Sequence, residues 1–150
     1  MERKFASFYI GQGLYGLDVS VIREILRKPE ITAVEKAPDY VRGLLNLRGQ
    51  IVTVLDPGVK LGFGALDFNE NSRCIILKSN VRTAMNENQS STEIIGLLTG
   101  RVGDMVTVQD SDVKKAPANV NDVKSEFIEG VINLEKELLV VLKVEQLIKE

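Results

Sequence analysis

The 150-residue chain contains no histidine, no tryptophan and a single cysteine, Cys74. Without histidine the commonest general base is missing, as are Ser-His and Cys-His nucleophile systems and the nitrogen ligands that zinc usually takes. One cysteine permits no intramolecular disulfide and no CxxC motif. Within SRCIILK it reads as a buried structural thiol. Aromatic residues make up 5%, the formal net charge is −2 and the pI is near 5.4. Stacking platforms and a basic face for nucleic acid are therefore both lacking. No apolar run approaches the ~18 residues of a bilayer span. The opening MERKFASFYI is charged and then alternating, unlike the apolar core of a signal peptide. Carboxylate-only chemistry survives in principle, but no nucleophile–base–orienter set is visible, and the expectation is a soluble cytoplasmic protein with no catalytic residues, no metal, no cofactor, no nucleic-acid partner and no membrane insertion.

What is present is an ordinary globular composition, 44% hydrophobic and 27% charged, and an internal repeat. Residues 41–55, VRGLLNLRGQIVTVL, align with residues 128–142, IEGVINLEKELLVVL, at one constant offset. Gly43 meets Gly130, Asn46 meets Asn133 and Leu47 meets Leu134, and the following aliphatic pairs match as well. A weaker echo sets GLDVSVIREIL from Gly16 against GLLTGRVGDMV from Gly96. Two β units of roughly 65–75 residues are implied, a size at the lower edge of independent folding, so they are expected to pack together. The expected division is about 14–70 and 73–142 within one 1–150 domain, with the N-terminal strand and C-terminal helix packing across.

Local patterns predict mostly strands: 5–10 and 14–17 around a Gly11-Gln12-Gly13 turn, 31–34, 43–47, 50–55, 73–78, 93–98, 102–108, 127–134 and 137–142. From Asp18, an N-cap candidate, Val19, Ile22, Ile25 and Leu26 recur at helical spacing and predict a short helix ending before Pro29. Asp56-Pro57-Gly58 ends a strand, NVRTAMNENQSST (80–92) reads as a polar loop, and VEQLIKE as a helical tail. Short strands at intervals near ten residues, repeated once, predict an all-β protein of two small packed barrels.

GQGLYG (11–16) lacks the strand–helix setting of a nucleotide loop and reads as a hairpin turn. Asp104, Asp110 and Asp112 fit no calcium-loop pattern and read as solvated carboxylates. Glu24 has two readings: the rim of an interface beside Val19 and Ile22, or the solvated face of an amphipathic helix. The repeat supplies an internal control. Gly43/Gly130 and Asn46/Asn133 recur, so they serve a bulge or close backbone approach and a turn hydrogen bond. Arg48 and Gly49 face Glu135 and Lys136, so neither is required by the repeated corner, and arginine is a favoured interface anchor.

VRGLLNLRGQIVTVLD, preceded by YGLDVSVIREIL, resembles the CheW family of chemotaxis coupling proteins, and the resemblance runs from about Phe5 to Ile148. It implies two five-stranded SH3-like β-barrels around a shared core. It also implies a non-enzymatic adaptor joining chemoreceptor signalling tips to the regulatory domain of the histidine kinase CheA. By motif, the receptor-binding positions would be Val19, Ile22, Glu24, Gly43 and Arg48; the kinase contact has no sharp motif and no residue is assigned to it. The chain departs from the family at Pro57-Gly58, where a Leu and a basic stretch usually follow the Asp, and in the length of 80–92. A coupling protein of a non-flagellar pathway is the near alternative, and a small-barrel nucleic-acid-binding protein the distant one.

Overall fold

The computed structural model describes residues 1–27, 29–78, 93–118 and 120–149, and the expected loop at 80–92 lies outside them. Among the described residues ten strands carry the fold: β1 (Glu2–Ile10), β2 (Gly13–Asp18), β3 (Ile22–Arg27), β4 (Val41–Leu47), β5 (Gln50–Leu55), β6 (Arg73–Leu77), β7 (Ile94–Thr99), β8 (Val102–Gln109), β9 (Ile128–Asn133) and β10 (Leu138–Leu142). They form two five-stranded sheets, ordered β8-β1-β2-β10-β9 and β3-β6-β7-β5-β4. Among the described residues, two one-turn helices, α1 (Pro57–Lys60) and α2 (Val144–Leu147), flank the sheets. The all-β architecture of two packed five-stranded barrels is thus the one expected.

The near-continuous apolar runs follow from burial on both strand faces. Alternate residues of one strand enter different cores. Leu139 and Val141 fill the interior of one barrel, Val52, Val54, Cys74 and Ile76 that of the other. Their strand neighbours Val140, Leu142, Leu55, Ile75 and Leu77 meet in a third core between the barrels, joined by Val144 and Leu147 of α2 and by Ile148, which caps α2. In β7 all six positions are buried.

The echo from Gly16 and Gly96 is a topological one. Gly16 pairs with Val141 and Gly96 with Val54, both in parallel ladders and both at equivalent places of the two sheets. After β2 the chain crosses to the other sheet as β3, and after β7 it crosses back as β8. Each barrel therefore combines two strands of one repeat with three of the other, and the barrels do not divide at residues 70–73. One sheet uses 22–99; the other uses 2–18 and 102–142.

Two local expectations are corrected. The helix predicted after Asp18 is a single 3-10 turn, Val19–Val21, followed by strand β3. Asp18 does cap that turn, accepting from the Ser20 N–H at 2.9 Å, but IREILR also alternates, and its antiparallel ladder with β6 outweighs the helical spacing. Residues 31–34 make one bridge, Thr32 to Leu44, rather than a strand, because the chain turns away at Lys36 in a left-handed conformation (φ +62°). The strand before Asp56-Pro57-Gly58 does end there, as expected, and residues 57–60 go on as α1, with Asp56 as N-cap and Pro57 at its favoured first position.

Candidate functional site

The conserved geometry of the repeat is a close backbone approach. The Leu44 and Thr32 backbones exchange hydrogen bonds of 2.8 Å, and Val131 and Lys114 do the same in the other barrel. A Cβ on Gly43 would collide with the Thr32 carbonyl, and one on Gly130 would lie 2.8 Å from that of Lys114. Each glycine also neighbours a register shift in its ladder. Gly43 is buried and structural.

The corner beyond it is not repeated. Arg48 (φ +49°) and Gly49 (φ +87°) make a two-residue turn with both residues left-handed, whereas Glu135 and Lys136 are not in that conformation. The freedom of Gly49 is therefore used here, contrary to the expectation from its lysine counterpart. The Asn46 side chain accepts from the Gly49 N–H at 2.8 Å, as a turn asparagine should.

This turn projects Arg48 toward β3, at the opposite edge of the same sheet. Arg48 Nη2 donates to Glu24 Oε1 at 2.5 Å, which ties the β4–β5 corner to the edge strand. Arg23 Nε lies 3.7 Å from the same Glu24 oxygen, and Arg23 Nη1 donates to Gln50 Oε1 at 3.3 Å. Arg48 is 64% exposed and Glu24 28%. Of the five residues named by motif, Glu24 and Arg48 touch. Ile22 lies two residues away on β3, half-buried against the inter-barrel core. Val19 is half-buried on the preceding 3-10 turn. Gly43 stands apart in β4 under Thr32.

Asp18, at the start of that turn, also pairs with Arg3 Nη2 at 2.9 Å. Burial pushes the Asp18 carboxyl up, but the bonds from Ser20 and Arg3 outweigh it and leave the group below the usual carboxylate value. Arg23 and Gln50 were missed in the sequence. Their only signal is proximity to Glu24 and Arg48 in the chain, because the partnership crosses the barrel.

The other candidates are structural. Gly11 (φ +60°) occupies the β1–β2 turn, with Ile10 paired to Gly13. Asp110 lies 3.8 Å from both the N-terminus and Arg3, and Asp112 accepts from the Gln109 N–H. Cys74 is fully buried, and desolvation pushes its thiol up to about 12, so it does not supply a thiolate nucleophile at neutral pH. Among the described residues no group of three or more His, Cys, Asp or Glu could hold a metal ion. A cleft of about 1050 Å³ opens at the other crossover, beside Gly100 and Arg101, and none of the five expected residues lines it.

In sequence the chain is 27% identical over 149 residues to the probable chemotaxis protein CheW of Rhizobium etli, covering 99% of this chain and 89% of that protein. It is 25% identical over 146 residues to the chemotaxis protein CheW of Klebsiella aerogenes, covering 97% and 81%. In fold it is similar to the scaffolding protein TtCheW from Thermoanaerobacter tengcongensis, with a TM-score of 0.82 over 100% of this chain and 90% of that one, at 24% identity. The CheW-like domain model matches residues 4–150, and the chain belongs to that family.

Proposed function

We propose that this protein is a non-enzymatic adaptor that couples chemoreceptor signalling tips to the regulatory domain of the histidine kinase CheA, working in the cytoplasm at receptor arrays. One observation supports the receptor side: Glu24 and Arg48, distant in sequence and named by motif, form one ion pair, and half-buried Val19 and Ile22 shortly precede Glu24 in the chain. A charged pair next to aliphatic side chains suits a helix docking by apolar anchors with a polar rim. Gly43 serves this surface only by shaping β4. Family membership supports a chemotaxis scaffold role, and among the described residues no helix is long and apolar enough to cross a membrane.

The test is a titration of the protein with a soluble receptor signalling tip and, separately, with a CheA regulatory domain. Binding of both in the range of tens of micromolar or tighter is expected, and binding of neither sinks the reading. Arg48→Ala should weaken tip binding by about 2 kcal/mol. Its ion pair is exposed, so its share of fold stability is only about 0–1 kcal/mol, and the melting temperature should fall by no more than about 4 °C. A much larger fall would make Arg48 a structural residue.

A further inference from the structure

The two barrels are alike in backbone and opposite in charge at one equivalent place. Ile22 pairs with Leu77 and Val102 with Phe8, at matching positions of the two sheets. Ile25 pairs with Ile75 and Met105 with Ala6, again at matching positions. Glu24 therefore corresponds to Asp104 and Arg23 to Gly103. The ladders Asn46–Ile51 and Asn133–Leu138 likewise match Arg48, Gly49 and Gln50 to Glu135, Lys136 and Glu137. At the first corner two arginines share one glutamate, which leaves one excess positive charge. At the second, Asp104, Glu135 and Glu137 against Lys136 leave two negative ones.

The glutamate at the first corner is already oversubscribed. Arg48 Nη2 and Arg23 Nε both address Glu24 Oε1, at 2.5 and 3.7 Å. Each guanidinium has five N–H donors in a planar fork that suits a second carboxylate. The neighbouring surface is aliphatic: Val19 and Ile22 are half-buried, and Ile51, next to Gln50, is 58% exposed. Among the described residues no further carboxylate lies within ion-pair distance of Arg23 or Arg48.

We infer that this corner selects a partner segment bringing a carboxylate flanked by aliphatic side chains, received by Arg23 together with Arg48, and that the acidic corner of the other barrel repels the same segment. The inference rests on the receptor-coupling reading and adds to it the chemistry of the docking segment, the role of Arg23 and the choice between two similar barrels. Arg23 lies outside the motif positions. It acts by holding a second guanidinium next to Glu24, with Gln50 orienting it.

The experiment titrates the full chain with a soluble receptor signalling tip at several salt concentrations, and repeats this with a tip whose surface Asp and Glu are changed to Asn and Gln. Arg23→Glu should weaken binding roughly tenfold or more and flatten its salt dependence, since complementary charge governs encounter and specificity. Arg23→Gln should weaken it less, Glu137→Lys should leave it unchanged, and the amidated tip should bind the wild type weakly. All three variants should melt close to the wild type, which separates a binding role from a structural one. If the wild type binds the tip but Arg23→Glu binds as well as wild type, or the amidated tip binds undiminished, the inference is wrong and the coupling reading stands. If the wild type binds neither tip nor kinase domain, both are wrong.

Discussion

Asp56 shows how one buried charge organises a surface loop. Its side chain is 1% exposed and accepts from Gly58 N–H at 2.9 Å, Leu66 N–H at 3.0 Å and Arg42 Nη1 at 2.9 Å. Arg42 in turn donates to the Leu66 carbonyl at 2.8 Å, so the chain from Pro57 to Leu66 is tied back to β4 at both ends. The close fit also accounts for Pro57-Gly58: proline starts α1, and a Cβ on Gly58 would lie 2.7 Å from the Gly64 carbonyl. Removing one partner of a buried ion pair strands the other donors, so Asp56→Ala should cost about 3 kcal/mol. Thermal unfolding should show a fall of about 6 °C or more, and a variant melting within about 2 °C of wild type would show that the tie is dispensable. The Asp ending the motif was legible as a residue type, but not as the hub of a loop, because its partners come from ten residues later and fourteen earlier.

At the scale of elements, β3 is the instructive failure of local reading. Val19, Ile22, Ile25 and Leu26 have helical spacing, and a capping Asp precedes them. The echo of the same segment, GLLTGRVGDMV, reads as strand, and it was the better guide because both segments perform the same crossover. Spacing over one or two turns is weak evidence against a ladder that a neighbouring sheet completes. The recurring glycines were read correctly as close approaches, and they allow a graded test. Gly43→Ala places a methyl against the Thr32 carbonyl, and Gly130→Ala places one against Lys114 and Val113. Gly49, with φ +87° and open space around it, meets only the backbone penalty of about 1–2 kcal/mol. Denaturant midpoints should therefore fall more for Gly43→Ala than for Gly49→Ala. The reverse order would show that the close approach relaxes easily.

For the whole molecule, the crossings after β2 and after β7 make the barrels interdependent, since each sheet mixes strands of both repeats. A fragment of residues 1–72 would hold β1 and β2 of one sheet and β3, β4 and β5 of the other, leaving both sheets incomplete and the inter-barrel core open. Such a fragment should lack a cooperative thermal transition and native-like circular dichroism, while the intact chain unfolds in one step. A folded 1–72 fragment would contradict this interdependence. Alternation, identity and spacing along the chain are enough to establish the all-β class, the duplication, the two structural glycines and the family resemblance. It takes the folded arrangement to show that residues 22–27 are a strand, that the repeats trade strands, and that Arg23 and Gln50 join Glu24 and Arg48. Those outcomes depend on which edge strand meets which turn when a sheet curls closed, and no local pattern carries that information. The NLRG corner presents its arginine to Glu24 because the barrel closes there.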